Sequence, residues 1–170
     1  MNNDSIKKLL EAARAKKYRI VCAESLTAGL ISAHIAEVPG ASDVLLAGFV
    51  VYTPEAKSAL LDISSDLITR YGVVSEEVAR AMATGALIRA AEIVKSEKLL
   101  SVAVSGIAGP DGATETQPLG TVCLAVSRYF KEKVIYAESE TFLFQGTRNE
   151  VREQTAAAAV EKLNKTLNKI

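Results

Sequence analysis

The chain holds one histidine, two cysteines and no surplus of either charge, and it contains no unbroken apolar run long enough to cross a bilayer. Each shortage removes a class of chemistry. His34 is the single histidine, nine residues beyond Ser25, the serine that closes the first apolar run. If both share one helix, nine residues span about 13 Å of axis, so a Ser-His-Asp triad cannot form within one chain. Cys22 and Cys123 sit in separate apolar runs without CxxC spacing. They read as buried reduced thiols, with no structural zinc site and a cytoplasmic setting. Twenty basic residues against twenty acidic ones leave a formal net charge of zero. No long-range basic field is available to hold nucleic acid or an acidic membrane, although a local patch for a small anion remains open. The opening segment, MNNDSIKKLLEAARAKK, is charged and lacks the apolar stretch of a secretory signal.

What is present fits a soluble globular chain read as one domain over 1–170, since 49% of residues are hydrophobic and 24% charged. Periodicity predicts alternating elements: a helix over 5–16, a strand over 20–23, a helix over 27–36 and a strand over 44–52. Two short helices over 54–61 and 65–71 follow, then a long helix from Ser75 to about Glu97. Strands are predicted over 99–105, 120–127 and 133–144, with a final helix from Thr147 to Leu163 or beyond. Strands separated by helices imply parallel pairing, and the short connection 128–132 implies a hairpin. The expectation is an α/β fold with a mixed, mainly parallel sheet of about five strands.

Four segments carry chemistry. In Tyr18–Gly29, YRIVCAESLTAG, an apolar strand stops at Glu24-Ser25 and small residues open a helix. Such a junction places a hydroxyl at the carboxyl end of the sheet and turns helix N–H groups towards it. Ser25 is therefore either a helix cap or a nucleophile and substrate contact. A nucleophile needs a base, and Tyr52, at the end of the second strand, and Lys57, which follows it, should reach the same sheet edge. Lysine serves as a base only if burial or a nearby cation lowers its pKa. The loop Ser105–Gly112, SGIAGPDG, is neither a P-loop nor a dinucleotide fingerprint, and alone it reads equally as a plain turn. Finally, Thr147-x-x-Glu150 is a capping box that puts Arg148 and Arg152 one turn apart at a helix start. A cation there opposes the macrodipole, which a bound anion would offset; the alternative is pairing with Glu150 or Glu153.

In order along the chain, AESLTAG, VPGAS, GFVVYTPEAK, GVVSEEVARAMATGA, SGIAGPDG, PLGTV and FQGTRNEVREQT resemble the CinA C-terminal domain family. The resemblance covers about Ser5 to Leu163. It implies a three-layer α/β/α sandwich and, for standalone members, similarity to bacterial nicotinamide-nucleotide amidases. These convert nicotinamide mononucleotide to nicotinate mononucleotide and ammonia. It implies Ser25 as nucleophile, Lys57 as base and Tyr52 beside them. Thr27, Ala28 and Gly29, the loop residues Ser105, Gly106 and Gly109, and Arg148 would contact substrate or its phosphate. No metal or cofactor is implied, and the partner is a small nucleotide; no nucleic acid or membrane is expected, and a homo-oligomer is compatible with it. The alternative it carries is a catalytically weak or inactive nucleotide-binding or docking module linked to competence or DNA damage. Three segments depart from the family pattern: Leu26-Thr27-Ala28-Gly29 stands for Cys-Thr-Gly-Gly, Pro54 for asparagine, and Gln117 for lysine. Ala28 adds a Cβ where the backbone would approach substrate, Pro54 removes an N–H near Lys57, and Gln117 removes a charge.

Overall fold

A computed structural model of the chain describes residues 3–94 and 98–170. The elements run α1 (Asn3–Lys16), β1 (Arg19–Glu24), α2 (Leu30–Ala36), a 3-10 turn (Ala41–Asp43), β2 (Leu45–Val50), α3 (Pro54–Leu61), α4 (Ser65–Tyr71) and α5 (Glu76–Ile93). They continue with β3 (Lys98–Gly106), β4 (Thr121–Phe130), β5 (Lys133–Leu143) and α6 (Arg148–Asn168). The long helix ends at Ile93, and the rest of the expected span to Glu97 falls partly on residues 95–97, outside the described residues.

The strands form one sheet in the order β2-β1-β3-β4-β5. β1 pairs in parallel with β2 and β3, whereas β4 is antiparallel to both β3 and β5. The sheet is mixed, as expected, but its ladders divide evenly between the two pairings, so "mainly parallel" holds for strand direction and not for pairing. The cause is the tight turn at Lys131-Glu132, both at positive φ, which returns the chain directly into β5.

Strand alternation feeds two cores. Ile20, Cys22, Leu100 and Val102 point to α1, α2 and α6, while Val21, Ala23, Leu99 and Ala103 point to α3, α4 and α5. This is the three-layer α/β/α arrangement. The spacing of Ile6, Leu9, Leu10 and Ala13 that predicted α1 is the stripe it buries, each at most 1% exposed. Cys22 and Cys123 are free and buried; burial pushes the Cys22 thiol up to about 12, which leaves it inert. On the opposite face, α5 is built from small residues, and a Cβ at Gly85 would come within 2.3 Å of the Leu61 carbonyl. That close approach seats α3, and α3 carries Lys57.

The chain leaves β1 through α2 to β2 on one side, then returns to β3 on the other side of β1. The carboxyl ends of β1 and β3 therefore border a topological switch point, where open α/β sheets form their ligand crevice.

Candidate active site

Strand β1 ends at Glu24, and alternation sends the next two polar side chains in different directions. Glu24 is fully buried. Its carboxylate accepts from the backbone N–H groups of Gly29 (2.9 Å), Ile31 (3.1 Å) and Ser32 (2.9 Å), and from the Ser32 hydroxyl (2.7 Å). Helix α2 thus begins at Leu30 rather than Thr27. Residues 25–29 form a turn in which the Ala28 N–H donates to the Ser25 carbonyl (3.1 Å), and Ala28 and Gly29 both take positive φ, +52° and +97°. The helix N–H groups expected to face a ligand are occupied by the protein's own carboxylate. An acid at the end of an apolar strand, before a helix with no side-chain cap, was the signal for this.

Ser25 turns the other way, 7% exposed. Its Oγ lies 3.0 Å from the Nζ of Lys57, which is fully buried. Lys57 sits at the fourth position of α3, whose start is fixed by Thr53 accepting from the Ala56 N–H (3.2 Å) and by Pro54 at the first helical position. Proline is favoured there because that N–H has no helical acceptor, so Pro54 takes no hydrogen bond from the site. The Lys57 amine also donates to the carbonyls of Val51 (2.8 Å) and Tyr52 (3.4 Å) and has no carboxylate partner among the described residues. Burial lowers its pKa from the ordinary 10.5 to about 8. A neutral amine has two N–H groups and one lone pair. The Lys57 amine donates to Ser25 Oγ, whose own hydroxyl donates to the Tyr52 carbonyl (3.5 Å); once neutral, with its two N–H groups on the two carbonyls, the amine has a lone pair free to accept the serine proton.

Strand β2 stops at Val50, so Tyr52 lies two residues past the strand rather than at its last position, with half its surface exposed. Its hydroxyl accepts from Arg148 (2.7 Å), whose guanidinium also donates to the Gly109 carbonyl (2.7 Å). One cation thus gathers the β2–α3 link, the loop after β3 and the start of α6. The capping box at Thr147 and Glu150 that places Arg148 is formed as expected. Arg152 is committed differently from the paired-arginine reading: it donates to the carbonyls of Leu26 (3.1 Å) and Thr27 (2.9 Å). Two carbonyls offset the unfavourable placement of a cation in the first turns of α6. Thr27 is fully buried, and its hydroxyl has no hydrogen-bond partner among the described residues.

Ser105 is buried at the end of β3, and its hydroxyl donates to the Val73 carbonyl (2.8 Å). A Cβ at Gly106 would come within 2.7 Å of the Thr121 carbonyl, so packing alone accounts for that glycine. Gln117 donates to the Val74 carbonyl (2.6 Å) and borders a groove with Glu76 and Glu77. His34 bridges Glu37 (3.1 Å) and Glu153 (3.0 Å), tying α2 to α6.

Fold and site together define a three-layer α/β/α protein with a buried serine–lysine pair at the carboxyl edge of its sheet. Residues 2–167 match the CinA C-terminal domain, and the chain belongs to that family. It is 41% identical over 149 residues to a CinA-like protein of Mycolicibacterium paratuberculosis, covering 88% of this chain and 33% of that protein. It is 43% identical over 149 residues to a putative competence-damage inducible protein of Symbiobacterium thermophilum, covering 85% and 34%. The chain thus spans about a third of the length of these curated relatives. Among solved structures, the competence/damage inducible protein of Agrobacterium tumefaciens superposes with a TM-score of 0.85 at 32% identity, covering 97% of this chain and 94% of that one. A CinA superfamily protein of Klebsiella pneumoniae shares the fold at a TM-score of 0.85 and 24% identity over all of both chains. No helix among the described residues is long and apolar enough to cross a membrane.

Proposed function

We propose that this protein is a serine amidase that hydrolyses the carboxamide of nicotinamide mononucleotide to nicotinate mononucleotide and ammonia. The observation that carries the reading is the 3.0 Å contact between Ser25 Oγ and the amine of a fully buried Lys57 that no acid among the described residues neutralises. A lysine buried without a counter-ion costs stability, and its lowered pKa is what a general base near neutrality requires.

Neutral Lys57 takes the Ser25 proton as Oγ bonds to the carboxamide carbon, and the carbonyl π pair moves to oxygen. On collapse the C–N bond breaks and ammonia leaves with the proton held by Lys57, giving an acyl ester on Ser25. Water then attacks that ester, passes a proton to Lys57, and releases the carboxylate as Oγ is reprotonated. The oxyanion needs backbone donors. The Ala28 and Gly29 N–H groups are engaged within the protein, which leaves those of Leu26 and Thr27 on the turn. Arg148 offers a cation at the mouth, with Tyr52 and the Gly109 loop as walls, and suits an anionic substrate such as a nucleotide phosphate. The step uses no group beyond the chain and water. Free buried thiols agree with a reducing, cytoplasmic setting.

Ammonia release from nicotinamide mononucleotide tests the proposal. Wild type should turn over, and Ser25→Ala and Lys57→Met should each lose more than about 10³-fold in kcat. Equal rates in wild type and Ser25→Ala would remove the covalent mechanism. A thermal shift with the nucleotide but no ammonia would replace the amidase with a binding module.

A further inference from the structure

The geometry points to Arg152 as the positioning residue that aims the Thr27 N–H at the oxyanion, an inference that rests on the amidase reading above. The Leu26–Thr27 peptide is trans, so its carbonyl and its N–H point in opposite directions. The Arg152 guanidinium holds that carbonyl at 3.1 Å and the next one, of Thr27, at 2.9 Å. Both peptide planes of the turn are therefore pinned with their oxygens towards α6 and their N–H groups away from it. The N–H of the second plane, at Ala28, shows where that direction leads: it donates to the Ser25 carbonyl at 3.1 Å. The N–H of the first plane, at Thr27, points to the same side and has no acceptor among the described residues. It therefore remains for a charge that develops next to Ser25.

Two further observations mark this peptide as reserved for a ligand. The Thr27 hydroxyl on the same residue is fully buried and has no partner among the described residues, a state that native proteins rarely leave unexplained. And a guanidinium bound to a peptide carbonyl polarises that peptide, so its N–H becomes a stronger donor. From the other flank, Glu24 holds the N–H groups of Gly29, Ile31 and Ser32. The turn is clamped at its carbonyls by Arg152 and at its exit by Glu24, and preorganised donors of this kind need no reorganisation during reaction.

Arg152→Met should lower kcat with nicotinamide mononucleotide by about 10²-fold, the lower end for losing an oxyanion donor, with KM within about threefold. Arg152→Lys keeps the charge but lacks the planar fork that fixes both carbonyls in one orientation, and should recover only part of the rate. The midpoint of the pH–rate profile should stay where it is in wild type, because Ser25 and Lys57 are untouched. The nucleotide with an aldehyde in place of the carboxamide adds Ser25 Oγ to its carbon, passes the serine proton to Lys57 and leaves an oxyanion. Its affinity should fall in Arg152→Met by the same factor as kcat/KM, while affinity for nicotinate mononucleotide stays within about threefold. In wild type, the Thr27 amide proton should shift downfield on aldehyde binding, a reading that stands even if a variant does not fold. Variant rates within threefold of wild type, parallel loss of aldehyde and product binding, or an unmoved Thr27 amide would each overturn the inference while leaving the amidase reading intact. A wild type that releases no ammonia would overturn the amidase reading, and this inference with it.

Discussion

Two serines end two neighbouring parallel strands. Ser25 follows β1 and Ser105 is the last but one residue of β3; the strands pair with Glu24 opposite Val104, and the Ser25 N–H donates to the Val104 carbonyl at 3.1 Å. Both serines are almost wholly buried, and both precede a segment of small residues. Their hydroxyls nevertheless meet different company. Ser25 faces the amine of Lys57, a titratable group whose pKa burial has lowered. Ser105 donates to a backbone carbonyl, that of Val73, which cannot accept and return a proton. Sequence context alone gives the two positions similar standing. The difference lies in what the far side of the sheet delivers: α3 brings a lysine to β1, and the α4–α5 connection brings a peptide oxygen to β3.

Alanine at each serine breaks the comparison most sharply. Ser25→Ala should remove ammonia release by more than about 10³-fold with little change in stability. Ser105→Ala should keep kcat within about threefold and cost about 1 kcal/mol for one buried hydrogen bond. In a domain of this size that is a fall of about 2–4 °C in melting temperature by calorimetry. Next in size is Glu24→Ala, which leaves the buried N–H of Ile31 and the part-buried N–H groups of Gly29 and Ser32 without an acceptor. It should cost about 3 kcal/mol or more and lower activity by loosening the Ser25 turn, read by denaturant unfolding beside the ammonia assay. The smallest effect belongs to Ala28→Gly. Ala28 stands at a φ of +52°, where an L side chain costs about 1–2 kcal/mol, and the entropy that glycine loses on folding takes back about half of that. The substitution should raise stability by about 0.5 kcal/mol, visible as a small upward shift in midpoint, and leave kcat within about twofold.

The elements were legible where one periodicity ran unopposed. α1, α3, α4, the start of α5 and the capping box of α6 fall where apolar spacing and caps put them. The junction after β1 misled because Thr27-Ala28-Gly29 has helical composition, yet two of its residues sit at positive φ and the helix waits for Gly29 as its cap. The proximity of Ser25 and Lys57 was legible only as two sequence segments arriving at one sheet edge. The distance depends on the Gly85 contact that seats α3, which spacing along the chain does not encode. Arg152 was visible as a cation placed against the helix dipole. That signal marks a guanidinium with a strong partner but does not tell a phosphate from two backbone carbonyls.

Of the departures from the family pattern, Pro54 stands at a helix position that suits it, and Gln117 is tied to Val74 beside two glutamates. Neither touches the Ser25–Lys57 contact. Ala28 is exposed on the turn, so its methyl group strains the backbone more than it fills the site.

The claim on which the rest depends is that Lys57 works as a neutral amine. Only the deprotonated form can take the serine proton, and burial lowers the pKa of Lys57 from 10.5 to about 8, so rate must rise with pH across that value. The direct measurement is kcat/KM for nicotinamide mononucleotide from pH 6 to pH 10. A tenfold rise per unit below a midpoint near 8, followed by a plateau, is the predicted result. A flat profile, or a rise that continues to the ordinary lysine range, would contradict it.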